Sequence, residues 1–127
     1  MIHIVTVDDE ADTHLLYRLK LKKFFAPRGD VKLVSFLSGK DCLNYLNRSD
    51  TPHVDLIMSD INMPEMTGFE LLQEVRKIEK TVVFYMVTAY GSFEFRTKSK
   101  ALGAQRFFSK PVDFNALNDA LTTDLKL

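Results

Sequence analysis

The chain has 127 residues, 46% of them hydrophobic, with 17 lysines and arginines against 17 aspartates and glutamates. That length and apolar content suit one compact domain over residues 1–127, with no room for a second. A formal net charge of zero supplies no basic field to hold nucleic acid or an anionic membrane, which argues against direct DNA binding by this chain.

The opening Met1 to Val7 is apolar but runs straight into Asp8, Asp9 and Glu10. It is too short for a membrane span and lacks the charged start of a signal peptide, so it reads as a first strand, His3 to Val7. Asp12 or Thr13 is placed to cap a first helix in which Leu15, Leu16 and Leu19 share a face, with Arg18, Lys20, Lys22 and Lys23 on its other sides. Pro27 and Gly29 stop it.

A second strand follows at Val31 to Phe36, and Leu43 and Leu46 mark a shorter helix. The sole cysteine, Cys42, lies in that apolar stretch, where a buried thiol without a disulfide partner fits a reducing cytoplasm. Val54 to Ser59 reads as the third strand. Gly68 opens a helix with Leu71, Val75 and Ile78 at i, i+4 and i+7.

Val82 to Val87 forms a fourth strand, a polar and weakly patterned helix runs from Glu94 to Leu102 with Gly103 beyond it, and Arg106 to Ser109 forms a fifth strand. Asp113 caps the last helix, which Phe114, Leu117, Leu121 and Leu125 line on one side. Strands alternating with helices imply an α/β fold, a parallel sheet covered on both faces. Ligands in such sheets bind beyond the carboxyl ends of the strands.

Asp8 and Asp9, Asp60, Thr88 and Lys110 stand just after the first, third, fourth and fifth strands. Crowded carboxylates raise one another's pKa unless a cation neutralises them, and an oxygen-only ligand set favours a hard divalent ion, Mg²⁺ rather than Zn²⁺ or a many-ligand Ca²⁺ cage. The scattered His3, His14 and His53 read as solvated or locally bonded rather than as metal ligands.

Together, Val7-Asp8-Asp9-Glu10, the loop Asp60-Ile61-Asn62-Met63-Pro64-Glu65-Met66-Thr67-Gly68, Thr88-Ala89 and Lys110-Pro111 resemble the response regulator receiver domains of two-component signalling, chemotaxis regulators among them. The resemblance implies a flavodoxin-like doubly wound sheet, five strands in the order 2-1-3-4-5 with five helices. It also implies that Asp60 accepts the phosphoryl group, that Asp8, Asp9, Asp60 and the Asn62 backbone carbonyl hold Mg²⁺, and that Thr88 and Lys110 contact the phosphoryl oxygens. Phe107 stands where the family carries a switching aromatic and offers a ring without a hydroxyl. Asn62 and Tyr90 occupy positions that tune dephosphorylation, and Lys110-Pro111 is expected to be cis.

Family partners would be a histidine kinase or phosphotransfer protein, docking on the helix that carries Leu15 and Leu19. An effector domain or a second copy would use the face of the fourth helix, fifth strand and fifth helix. The activity implied is self-catalysed phosphotransfer and autodephosphorylation, not that of an enzyme acting on other molecules. Two further classes compete: a haloacid-dehalogenase-like phosphatase with Asp8 as its nucleophile, and a phosphorylation-independent binding module. The Asp8-Asp9-Glu10 run only approximates the Asp-x-Asp of the first, and no acceptor or metal acid is missing as the second would require.

Overall fold

The computed structural model describes residues 1–127. Its elements, in chain order, are β1 (Ile2–Val7), α1 (Ala11–Phe25), β2 (Val31–Phe36), α2 (Gly39–Leu46), β3 (Leu56–Ser59), α3 (Gly68–Ile78), β4 (Val83–Thr88), α4 (Phe93–Ala101), β5 (Arg106–Ser109) and α5 (Phe114–Asp124). The strands form one sheet in the order β2-β1-β3-β4-β5, and every pairing is parallel. In the register, Val7 lies opposite both Phe36 and Ser59, Ser59 opposite Met86, and Thr88 opposite Ser109, so the carboxyl ends of the strands finish at one edge.

Alternation along the strands divides the core into two layers. Val5, Val7, Ile57, Phe84 and Met86 point to one face and pack with Cys42 of α2 and Leu71, Leu72 and Val75 of α3. Ile4, Leu56, Met58, Tyr85 and Val87 point to the other and pack with Tyr17 and Leu21 of α1 and Leu117 and Leu121 of α5. Phe107 joins the first layer and Phe108 the second, as strand alternation expects. Burial pushes the Cys42 thiol up to about 12, which keeps it protonated.

The capping expectations divide. Asp113 caps α5, its carboxylate accepting from the Asn115 and Ala116 amides. Thr67 and Glu70 form a reciprocal capping box on α3 that the sequence reading missed. For α1 the expectation fails: the N-cap is Glu10, without a side-chain bond, rather than Asp12 or Thr13. Its leucine face also points the other way. Leu15, Leu16 and Leu19 are 60%, 45% and 67% exposed, while His14, Tyr17, Leu21, Phe24 and Phe25 are buried. α1 carries two apolar stripes, and the one with three aromatic rings removes more area from water. On α3, Leu71 and Val75 are buried but Ile78, at the helix end, is exposed.

Candidate functional site

The convergence begins with backbone. Past the last residue of β1, the Asp8 amide donates to the Phe36 carbonyl, and past β3 the Asp60 amide donates to the Val7 carbonyl, which extends the ladder to the acids. Asp8 is 1% exposed and Asp60 7%. A buried carboxylate costs stability unless its oxygens are bonded. Here they are: Asp8 accepts from the Glu10 amide at 2.9 Å and Asp60 from the Ile61 amide at 2.7 Å.

Each carboxylate's second oxygen faces Lys110. Its ammonium donates to Asp8 at 2.8 Å and to Asp60 at 3.2 Å, from a loop held by the Lys110 amide on the Thr88 carbonyl. The Lys110-Pro111 bond is cis, as expected. Burial alone would lower the lysine's pKa; the Asp8 hydrogen bond and the charges of Asp60 and Asp8 outweigh it and hold the ammonium above its usual value. Burial also holds Asp60 above the ordinary carboxylate value, against the pull of Lys110 and with the push of Asp8. The lysine is therefore tied more closely to Asp8 than to Asp60.

Asp9 is exposed beside them, and so is Glu10. Carboxylate oxygens of Asp8, Asp9, Glu10 and Asp60 all lie within 4.8 Å of one another. A hard divalent cation fits this all-oxygen donor set. The sequence reading gave Glu10 no ligand role; its adjacency to Asp9 was the available signal.

Thr88 is fully buried at the end of β4, its hydroxyl accepting from the Tyr90 amide at 3.2 Å, and the Tyr90 side chain is 64% exposed. Asn62 is exposed in the loop after β3. Phe107 is half-buried two strand positions below Ser109, with the Arg96 guanidinium 4.7 Å from its ring centre. The loop carrying Asn62 folds back tightly, with the Gly68 amide donating to the Ile61 carbonyl at 2.8 Å. A Cβ on Gly68 would press on the Asp60 carbonyl and lie 2.9 Å from the Ile61 Cα. Close approach rather than a left-handed conformation is what requires glycine there. The left-handed residue of that loop is Glu65, with φ 68°.

His14 lies under the same edge. Its Nε2 is 2.8 Å from the Asp8 carbonyl and 3.0 Å from that of Phe36, and its Nδ1 is 2.9 Å from the Thr6 hydroxyl. Both ring nitrogens are occupied, so His14 positions the β1–α1 loop and is not available as a ligand. Nothing in its spacing from Asp8 announced that role.

The family described as Response regulator receiver domain matches residues 4–122. The chain belongs to the response regulator receiver family. Transcriptional regulatory protein GlrR of Escherichia coli (strain K12) is 32% identical over 124 residues, covering 98% of this chain and 26% of that protein. This chain thus spans about a quarter of that relative's length. Sporulation initiation phosphotransferase F of Bacillus subtilis (strain 168) is 29% identical over 124 residues, 98% of this chain and 94% of that one. Among solved structures, chemotaxis protein CheY4 of Vibrio cholerae superposes with a TM-score of 0.81 at 27% identity, covering 98% of both chains. The receiver is a phosphoacceptor module of two-component signalling, of a family that is generally non-enzymatic. These likenesses do not favour the phosphatase or the phosphorylation-independent module. No helix is long and apolar enough to cross a membrane.

Proposed function

We propose that residues 1–127 act as one receiver unit in which Asp60 takes a phosphoryl group from a histidine kinase or phosphotransfer protein. The observation that carries the reading is Lys110, whose ammonium bridges the buried Asp60 and Asp8. Asp8, Asp9 and Asp60, with the Asn62 backbone carbonyl, would hold Mg²⁺; when bound, the ion supplies charge neutralisation for the incoming phosphoryl oxygens.

An Asp60 carboxylate oxygen attacks phosphorus, the new O–P bond forms as the P–N bond to the donor histidine breaks, and the departing imidazole keeps the bonding pair. Such transfers need alignment and charge stabilisation above all. Lys110 supplies a cation to the phosphoryl oxygens, and the Thr88 hydroxyl donates to one of them. Asp60 releases the group later to water, whose access Asn62 and Tyr90 tune, so the chain turns over only its own phosphoaspartate.

Phosphorylation draws the Thr88 hydroxyl toward the phosphoryl group and opens space that the Phe107 ring fills, taking the ring from beneath Arg96 and remodelling the face of α4, β5 and α5. An effector domain or a second copy binds that face. The donor docks along α1, where Leu15 and Leu19 stand exposed one turn apart on the helix that follows Asp8 and Asp9. The single cysteine and the absence of a disulfide support a cytoplasmic setting.

Beryllofluoride with Mg²⁺, a phosphoryl mimic, tests this reading by NMR. The expected result is amide shifts at Asp60, Thr88 and Lys110 that extend to Phe107 and residues 92–110. Shifts confined to the loops around Asp60 would contradict the switch, and none at Asp60 would contradict the site.

A further inference from the structure

On the layer of α1 and α5, the two helices border an open cleft of about 370 Å³. Lys20, Lys23 and Arg28 supply three cations to it, Asn115 and Asn118 two carboxamides, and no acidic side chain lines it. None of the three cations has a carboxylate within 4.0 Å, because the chain's ion pairs use Arg48, His53, Lys77, Arg106 and Lys110 instead.

The cations are oriented rather than free. Arg28 donates to the Phe24 carbonyl at 2.6 Å with its guanidinium 4.0 Å from the Phe24 ring centre, and the Lys20 ammonium stands 5.7 Å from that of Phe114. Tyr17 meets Phe114 edge-on as well. Both rings that line the cleft already face a cation of the chain itself. What it offers a ligand is positive charge and amide hydrogen bonds, a match for carboxylates.

Continuity along α1 decides between a free anion and a protein. Leu16, Leu19, Lys20 and Lys23 are all exposed and follow the i, i+3, i+4, i+7 spacing of one helical face. That face is apolar toward the acid cluster and cationic toward the far end of a 15-residue helix, roughly 22 Å long at ~1.5 Å per residue. A small anion would use only the cationic half.

We propose that the α1–α5 cleft recognises an acidic segment of the phosphodonor protein, its carboxylates on Lys20, Lys23 and Arg28 while its apolar residues cover Leu16 and Leu19. This rests on the reading that a donor docks along α1. The cleft selects among donors by charge, and salt weakens the selection.

Chemical-shift titration of the full chain tests it, using a helical peptide of leucines and glutamates, the same peptide with glutamine for glutamate, and sodium pyrophosphate. Saturable shifts at Leu19 to Arg28, Asn115 and Asn118 are expected with the glutamate peptide, and not with its glutamine counterpart. Lys20→Gln/Lys23→Gln, which keeps the Arg28 bond to Phe24, should weaken that binding roughly tenfold at low salt. Equal shifts from the glutamine peptide, shifts spread over other lysines, or unchanged affinity in the variant overturn the proposal. Pyrophosphate binding the same residues more tightly than the peptide overturns it in favour of a free-anion site. Labelling of wild-type Asp60 by acetyl phosphate, which needs no docked protein, checks the underlying reading separately: its absence sinks the phosphoacceptor, whereas silent α1 residues sink only the cleft.

Discussion

Lys110 reaches across 102 residues of sequence to donate to Asp8 at 2.8 Å, closer than its 3.2 Å contact with Asp60. The lysine thus stands over the same carboxylate that would hold a metal, and the two cations compete for it. Lys110→Met keeps the side chain's length while removing its charge. Without metal the variant should lose roughly 1–2 kcal/mol, discounted from the ~3–5 kcal/mol of breaking a fully buried pair because Lys110 retains water contact. It should nevertheless bind Mg²⁺ more tightly than wild type. Thermal melting with and without Mg²⁺, alongside calorimetric titration, reads both effects; weaker Mg²⁺ binding in the variant would show that Lys110 does not oppose the ion.

Gly68→Ala should damage the site through backbone alone. Its Cβ meets the Asp60 carbonyl and the Ile61 Cα, neither of which can turn aside as a flexible side chain can. A cost of about 1–3 kcal/mol is expected, as for other overpacked positions, with slower phosphorylation because the Asp60 loop is displaced. Urea unfolding and labelling by acetyl phosphate measure the two. A stability change under ~0.5 kcal/mol would mean that the loop yields more readily than its packing implies.

His3 makes the fold sensitive to acid at a place remote from the phosphoacceptor. It is 2% exposed on β1, with Nε2 3.1 Å from the Tyr45 hydroxyl and Nδ1 3.2 Å from the His53 carbonyl. Burial lowers its pKa below 6.5, aided by Lys32 and opposed by the His53 and Pro52 carbonyls and by Asp55. The unfolded chain therefore binds more protons just below pH 6.5, and the histidine's contribution to stability is lost as pH falls from there through the folded-state value. Melting temperature should drop on acidification from about pH 7.5 to about pH 5, and less steeply in His3→Gln. Equal slopes would assign the sensitivity to other groups.

The strands were legible because each is a short β-branched or aromatic run bounded by polar residues; β2 and β5 keep the expected ends, and the ends of the other three move by one or two positions. The expected third strand began at Val54; the ladder begins at Leu56 because the Asp55 carboxylate takes the His3 amide, and the Asp55 amide binds the His3 carbonyl. The site was legible because motif residues stand at strand ends, where a parallel sheet collects them. The buried side of α1 was not: Leu15 and Leu19 have the spacing of a core face, and only the sheet with its aromatic partners chooses the other stripe. His14 was illegible for the same reason, since its partners Thr6, Asp8 and Phe36 lie on two strands brought together by folding.

The central claim is that Asp60, and not Asp8, becomes phosphorylated. Wild type and Asp60→Asn are incubated with acetyl phosphate and Mg²⁺, and phosphate incorporation is read by intact-protein mass spectrometry, with the labelled peptide mapped after borohydride reduction. An amide is a poor nucleophile and removes a metal ligand, so the variant should take up no label, while wild type gains one phosphoryl group on Asp60 only when Mg²⁺ is present. Undiminished phosphate on Asp60→Asn, or a wild-type label that maps to Asp8, would contradict the account.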